Sequence, residues 1–394
     1  MRLLIYISVF LIFSLLVFWG FYLRLIRPIQ NRKLRTSMRI LMLLCLAILI
    51  VPPWVYRVYP DFHQASVRLP IMYLHFFVMG LTSFLMVYLF FASGLEKLFF
   101  FVQKIYQQKR DPKSSTAMNL ERRLFLAHSV NAGVLALAGA SSIIGRKQAF
   151  ATPSVFDVTI PLHNLAPDLH DFSIVQISDL HIGPLLGGEF LRTVVDKVNL
   201  LRPSLVAITG DLVDGKTSQL AQEVLAINDL RSDYGTYFVS GNHEYYSGHD
   251  EWMALLKKMG LKVLENNNEM LKIGNSNVLI GGVPDLRTSP IKSDPHLAIS
   301  HPQGKADLAV LLAHQPSSCF EAVKAGFNLQ LSGHTHGGQF HPWTWVVKLI
   351  HPYIKGLNNH EGMWVYVNQA TGFWGPTVRL GTQGEITHIR FIQA

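Results

Sequence analysis

Three long runs of almost pure hydrocarbon side chains constrain the fold of this chain more than any other feature. They cover residues 3–23, 38–55 and 71–92. About 20 apolar residues suffice to cross the hydrocarbon core of a bilayer. A helix packed in a soluble core seldom stays apolar on every face for that long. The runs therefore predict membrane spans in an all-α region. Further spans follow the first run, and no small-residue cleavage site stands behind it, so it does not read as a removable signal peptide.

Charge predicts the orientation. The first connection carries Arg24, Arg27, Arg32, Lys33, Arg35 and Arg39, and the third carries Lys97, Lys104, Lys109, Arg110, Lys113, Arg122 and Arg123. The second, residues 52–70, is short and weakly charged. Basic residues gather on the cytoplasmic side, which puts the N-terminus outside. A fourth run, 124–144, is apolar but interrupted by His128 and Asn131. Read as a span, it puts the remaining chain outside the cytoplasm. Read as an amphipathic linker lying on the membrane, it leaves that chain inside. We read it as a fourth span, giving a multi-pass cell-membrane protein with four membrane helices, three on the linker reading. The segment Arg122-Arg123-Leu124-Phe125-Leu126 resembles a twin-arginine export signal, although it is internal. Ala149-Phe150-Ala151 resembles a signal-peptidase site.

Residues 1–123 hold 16 Lys and Arg against 4 Asp and Glu, and the rest of the chain has a net charge of −3. The basic excess thus belongs to the membrane region, and no nucleic-acid partner is implied. Cys45 lies in an apolar run and Cys319 far away in the polar half, so no disulfide framework is expected.

We divide the chain into a membrane region, 1–150, and a second domain, 151–394. From Phe156 onward, strand-like runs alternate with helical ones. Strands are expected near 172–178, 205–209, 235–239, 278–283, 308–313, 327–331, 364–369 and 386–392. Helices are expected near 190–201, 218–230, 252–259 and 319–325. The alternation predicts an α/β domain, and by itself suggests one sheet covered by helices.

Metal-capable side chains recur where five of the apolar runs end: Asp179 and His181; Asp211; Asn242 and His243; His314; His334 and His336. In α/β sheets the ligand crevice lies beyond the carboxyl ends of the strands, so these residues can converge. Mixed carboxylate, imidazole and amide donors suit Mn²⁺, Fe²⁺ or Zn²⁺. The donors are too many for one ion. Paired ions about 3.5–4 Å apart promote in-line displacement at phosphorus.

The ordered series Asp-x-His, Gly-Asp-x-x-Asp, Gly-Asn-His-Glu, a later His, and Gly-His-Thr-His-Gly-Gly-Gln, spread over 175–339, resembles the calcineurin-like metallophosphoesterase superfamily. Lys355-Gly356-Leu357 and Arg379-Leu380-Gly381 resemble its YkuE-like branch, which includes membrane-anchored members. The resemblance implies a four-layer αββα sandwich with two sheets, preceded here by the membrane helices. It implies two divalent transition-metal ions. Asp179, His181 and His336 would hold the first; Asn242, His314 and His334 would hold the second; Asp211 would bridge them. His243 would contact the phosphate and protonate the leaving oxygen. Asp214 is read as a loop residue beyond the ligands, and Glu244 as a group orienting a neighbouring histidine.

The expected activity is metal-dependent hydrolysis of a phosphoester or pyrophosphate. Residues 340–364 are unusually aromatic for a loop, and Trp and Tyr favour membrane interfaces. That points to the bilayer and to a phosphorylated lipid or lipid-linked substrate as partners. Relatives that cleave the pyrophosphate of UDP-2,3-diacylglucosamine offer one candidate, a cytoplasmic one. An outward-facing domain would instead meet lipid pyrophosphates, phospholipids or wall polymers. A non-catalytic receptor built on the same fold is the competing reading. Transport is disfavoured, because the spans hold almost no ionisable residues besides His75 and His128.

Overall fold

The computed structural model describes residues 2–58, 65–110, 120–163, 165–300 and 306–394. Lys113 and residues 59–64 of the second connection lie outside the described residues. The chain forms two compact units: Met1–Arg146 with Gly375–Val378, and Lys147–Trp374 with Arg379–Ala394.

The first unit is built on α1 (Arg2–Phe21), α2 (Arg32–Val58), α3 (Ala65–Arg110) and α4 (Leu120–Ala149). Each contains a stretch long and apolar enough to cross a membrane: Ser8–Ile26 (running past α1 into a short π-helical turn), Arg32–Pro52, Leu69–Gln103 and Phe125–Ala149. Three polar side chains of α4, Asn131, Ser141 and Ser142, turn inward. Asn131 Nδ2 donates to the Arg24 carbonyl at 3.0 Å, the Ser141 and Tyr88 hydroxyls meet at 2.8 Å, and Ser142 Oγ donates to the Ala138 carbonyl. Leu137, Ile143, Leu44 and Phe90 face outward. Such a surface is unfavourable in water but suits hydrocarbon, where every polar group needs an internal partner. The protein is a membrane protein.

The second unit contains twelve strands in chain order among the described residues: β1 (Ser154–Leu162), β2 (Ser173–Ile177), β3 (Leu205–Ile208), β4 (Thr236–Phe238), β5 (Lys262–Val263), β6 (Asn267–Ile273), β7 (Ser276–Gly282), β8 (Leu308–Leu312), β9 (Leu329–Ser332), β10 (Gly356–His360), β11 (Met363–Val367) and β12 (Glu385–Gln393). Helices α5 (Gly188–Leu200), α6 (Thr217–Leu220), α7 (Asn242–Ser247), α8 (His249–Lys258), α9 (Pro295–Ile299), α10 (Cys319–Ala325) and α11 (Trp343–Ile350) lie between them.

The strands form two six-stranded sheets, ordered β1-β12-β2-β3-β4-β5 and β10-β11-β9-β8-β7-β6. Strand runs alone suggest one sheet; there are two. Strands β2, β3, β8 and β9 are buried along their whole length, even at the polar Ser173, Gln176, Gln330 and Ser332, so hydropathy carries no mark of which sheet they join. Alternate residues still face opposite ways. Ile174, Leu205, Tyr237, Val310 and Leu331 meet between the sheets. Val175, Val206 and Phe238 pack outward on Val194 of α5 and Trp252 of α8, while Leu279, Ala309 and Leu311 pack on Cys319 and Ala322 of α10. The layers run helix, sheet, sheet, helix.

Two local expectations need correction. The helix expected at 218–230 is only the short α6 followed by turns and a 3₁₀ segment, Leu225–Asp229. Leu220, Val224 and Ile227 reach the core regardless, so burial does not demand a continuous helix. The aromatic stretch expected as a loop at 340–364 contains α11 and β10.

Candidate metal centre

Strands β2, β3 and β4 run parallel in one sheet, and β8 and β9 run parallel in the other. Their carboxyl ends deliver the eight expected residues to one region. The turns there are tightly tied: Asp179 N–H donates to the Gly210 carbonyl, and Gly333 N–H to the His314 carbonyl, each at 3.0 Å. Asp179, His181, Asp211, His334 and His336 all adopt left-handed backbone, with φ between 49° and 69°. That conformation costs about 1–3 kcal/mol at each non-glycine residue and persists only where the surroundings enforce it. Two motif glycines allow the crowding. A Cβ on Gly333 would strike the Ser178 hydroxyl and the Asp179 carboxylate, and one on Gly241 would strike the Asp211 carboxylate.

The side chains fall into three overlapping groups whose donor atoms lie within 4.8 Å of one another: Asp179, His181 and His336; His181, Asp211 and His243; and Asp211, His314 and His334. Nε2 of His181 and Nε2 of His336 are 3.2 Å apart, and Nε2 of His336 is 3.3 Å from an Asp179 oxygen. Nε2 of His314 lies 3.1 Å from His334 Nδ1 and 3.2 Å from Asp211 Oδ2. Donors on one ion with bonds of about 2.0–2.2 Å sit about 3 Å apart, so both clusters fit metal ligation. Asn242 Oδ1 is buried with no hydrogen-bond partner among the described residues, as a pre-placed ligand oxygen would be. Histidine tautomers agree. His314 Nδ1 lies 2.8 Å from the Thr209 carbonyl and His181 Nδ1 lies 3.0 Å from Asp214 Oδ1, so each Nδ1–H is the donor and Nε2 is left free to bind a metal.

The model of the calcineurin-like phosphoesterase family matches residues 172–338. A transmembrane protein with metallophosphoesterase domain from Danio rerio is 31% identical over 333 residues, covering 82% of this chain and 74% of that protein. The chain belongs to the calcineurin-like metallophosphoesterases. The Bos taurus protein of the same description is 35% identical over 268 residues, and the chain spans 59% of its length. The metallophosphoesterase YkuE of Bacillus subtilis, itself uncharacterized, is 30% identical, covering 55% of this chain and 77% of that one. Among solved structures, Haemophilus influenzae NAD nucleotidase is similar over half of each chain, with 17% identity and a TM-score of 0.37. That likeness is too slight to bear on substrate. Membership agrees with the expected reaction class, metal-dependent phosphoester hydrolysis.

In this metallophosphoesterase, charge balance favours cation binding. Burial works against ionising Asp179, but hydrogen bonding and charge from His336, with charge from His314 and His181, hold its pKa far below the carboxylate range. Burial also opposes a charge on His181, but Asp214, Asp211 and Asp179 outweigh it and push its pKa up to about 9. Burial and the neighbouring His314 lower His334 to about 3, which keeps its imidazole neutral. Metal ions binding here would displace protons from histidines already paired with carboxylates.

Beyond the ligands, the outcome is mixed. Asp214 is the loop residue behind the histidines that the sequence suggests. Its Oδ1 lies 3.0 Å from His181 Nδ1 and 2.5 Å from His243 Nδ1. Glu244 orients no histidine; it accepts backbone N–H bonds from Asp211, Leu212 and Gly241, bracing the turn that carries Asp211. Burial and the Asp211 charge raise the Glu244 pKa to about 7. Sequence reasoning missed Ser178, whose hydroxyl donates to Asp179 Oδ2 at 2.6 Å, and Arg379. The Arg379 guanidinium is fully buried and donates to the carbonyls of Gln369, Ala370 and Gly372. Gly372 N–H in turn donates to the Asp179 carbonyl. The Arg-Leu-Gly tail was the available signal for Arg379, though nothing in the sequence shows that this arginine is buried.

Proposed function

We propose that the chain is a membrane-anchored dimetal phosphohydrolase, with residues 1–150 as anchor and 151–394 as catalytic domain. It acts on a phosphoester or pyrophosphate of a lipid or lipid-linked substrate. The observation that supports hydrolysis best is the overlap of the ligand groups at Asp211, which suits a carboxylate shared by two ions. Asp179, His181 and His336 would hold one divalent ion, and Asn242, His314 and His334 the other. When bound, the pair supplies Lewis-acid stabilisation of phosphoryl charge and a water acidic enough to act near neutral pH. Mn²⁺, Fe²⁺ and Zn²⁺ all suit this donor set. His243, steadied by Asp214, donates a proton to the leaving oxygen.

Helix α11 supports a lipid substrate. Thr344 is its buried residue and packs against Gly338 of the ligand loop, while the His351 ring at its end lies 5.2 Å from that of His334. Trp343, Trp345, Leu349 and Ile350 are all more than half exposed, Leu349 at 87%. An apolar helix face beside a phosphoesterase site, in a chain tethered to a bilayer, fits an acyl surface. Replacing Trp343 and Leu349 by Ser is expected to cost lipid phosphoester turnover about tenfold more than turnover of a small chromogenic phosphodiester, in proportion to the apolar area lost. Equal losses on both substrates would refute the lipid reading.

We also propose that α4 spans and that the catalytic domain is extracytoplasmic. A C-terminal reporter that matures only outside the cytoplasm is then active. Cytoplasmic activity of the complementary reporter would reject that orientation. It would also favour a nucleotide-lipid pyrophosphate of the UDP-2,3-diacylglucosamine type.

A further inference from the structure

We infer that Trp374 and Tyr246 form a leaving-group subsite that takes a substrate group presenting a flat ring face, a sugar or a nucleobase, on the far side of the scissile bond from the lipid. The inference rests on the proposed role of His243 as proton donor to the leaving oxygen.

Whatever His243 protonates departs along its ring, so its neighbours there meet the leaving group. Two aromatic side chains flank it. The Trp374 ring centroid is 5.2 Å from that of His243 at an interplanar angle of 73°, and the Tyr246 centroid is 5.4 Å away at 68°. Both are open to solvent, Trp374 at 51% and Tyr246 at 70%. Exposed aromatic surface against a catalytic imidazole is unfavourable in free protein and is recovered when a ring covers it.

The placement of Trp374 is enforced. Gln339, which closes the Gly-His-Thr-His-Gly-Gly-Gln motif, grips its backbone from both sides: Trp374 N–H donates to Gln339 Oε1 at 3.2 Å, and Gln339 Nε2 donates to the Trp374 carbonyl at 3.0 Å. Gln339 itself is buried and sits at φ 55°. Two residues before Trp374, Gly372 N–H is bonded to the Asp179 carbonyl. The indole is thus fixed to loops carrying His336 and Asp179, and such preorganisation lowers the entropic cost of binding. Tyr246 reaches His243 from three residues further along α7, a spacing that places both side chains on one face.

With α11 beside His334 and the aromatic pair beside His243, the substrate class becomes an amphiphile. Its apolar part lies toward α11 and its ring-bearing group toward Trp374. A lipid-linked phosphate or pyrophosphate ester of a sugar or nucleoside has this form.

The test uses the full-length, metal-loaded protein in detergent, with uridine 5′-monophosphate, glucose 1-phosphate and glycerol 1-phosphate as competing ligands. At least one ring-bearing ligand is expected to bind about tenfold more tightly than glycerol 1-phosphate, in line with stacking on aromatic side chains. Trp374→Leu and Tyr246→Leu should each bring that ratio close to one, while Trp374→Phe preserves most of it. Preference for uridine monophosphate identifies a base, and preference for glucose 1-phosphate a sugar; either supports the subsite. A ratio near one in the unaltered protein, or one that survives both leucine substitutions, overturns it. Affinities are read by calorimetry, so a protein that binds with ring preference but hydrolyses no phosphoester refutes the proposed function and not the subsite.

Discussion

His334→Ala and His336→Ala are each expected to abolish measurable turnover, and each to leave about one metal ion per chain where two are expected in the unaltered protein. The expectation follows from how two histidines one residue apart divide. His336 Nε2 meets His181 Nε2 and Asp179, while His334 Nδ1 meets His314 Nε2. The left-handed backbone at both positions, φ 69° and 52°, turns the side chains to different clusters. Loss of one ligand therefore empties one position without erasing the other. Turnover needs both ions, so the fall should exceed the roughly 10–100-fold typical of residues that only support a ligand. Metal analysis of purified protein together with kcat on a chromogenic phosphodiester decides the matter. Near-normal turnover in either variant, or loss of both ions from each, refutes the division. Thermal unfolding guards against a trivial result. His334 N–H also donates to both Asp179 oxygens at 3.0 Å, and alanine keeps that backbone link between the sheets.

The convergence of the candidate ligands was legible because their chemistry is written locally. Each member sits at the end of an apolar run, and such ends converge wherever parallel strands build a sheet. The membrane helices were legible for a similar reason, since lipid imposes length and composition on every residue of a span. What failed to show depends on partners distant in sequence. Trp374 stands 131 residues after His243, and no spacing rule connects them. Glu244 sits beside His243 in sequence, which made a histidine partner reasonable. The fold instead turns its carboxylate to three backbone N–H groups. The assignment of strands to two sheets was hidden because the central strands are buried on both faces, so hydropathy does not mark which sheet each joins. α11 was hidden because an exposed apolar face leaves no polar side to reveal the helical period.

Asp214→Asn is expected to lower kcat by about 10²-fold or more, within the range that a positioned proton donor contributes. One carboxylate oxygen, Oδ1, serves the Nδ1–H groups of both His181 and His243. On His243 it holds one proton on Nδ1, so that the proton passed to the leaving oxygen sits on Nε2. On His181 it fixes the tautomer that leaves Nε2 free for a metal. The amide of asparagine can still accept one such bond but carries no charge, so both imidazoles lose their electrostatic support. The two routes separate by leaving group. A p-nitrophenolate departs without a proton, whereas an alkoxide needs one. If Asp214 acts mainly through His243, the loss is large for alkyl phosphodiesters, shrinks for the p-nitrophenyl substrate, and is accompanied by nearly full metal content. If it acts mainly through His181, the losses are equal and the first ion binds about 10–100-fold more weakly. The shorter contact, 2.5 Å to His243 against 3.0 Å to His181, favours the first outcome. Equal losses with metal depleted would instead assign Asp214 to the metal site and leave His243 without its proposed positioning partner.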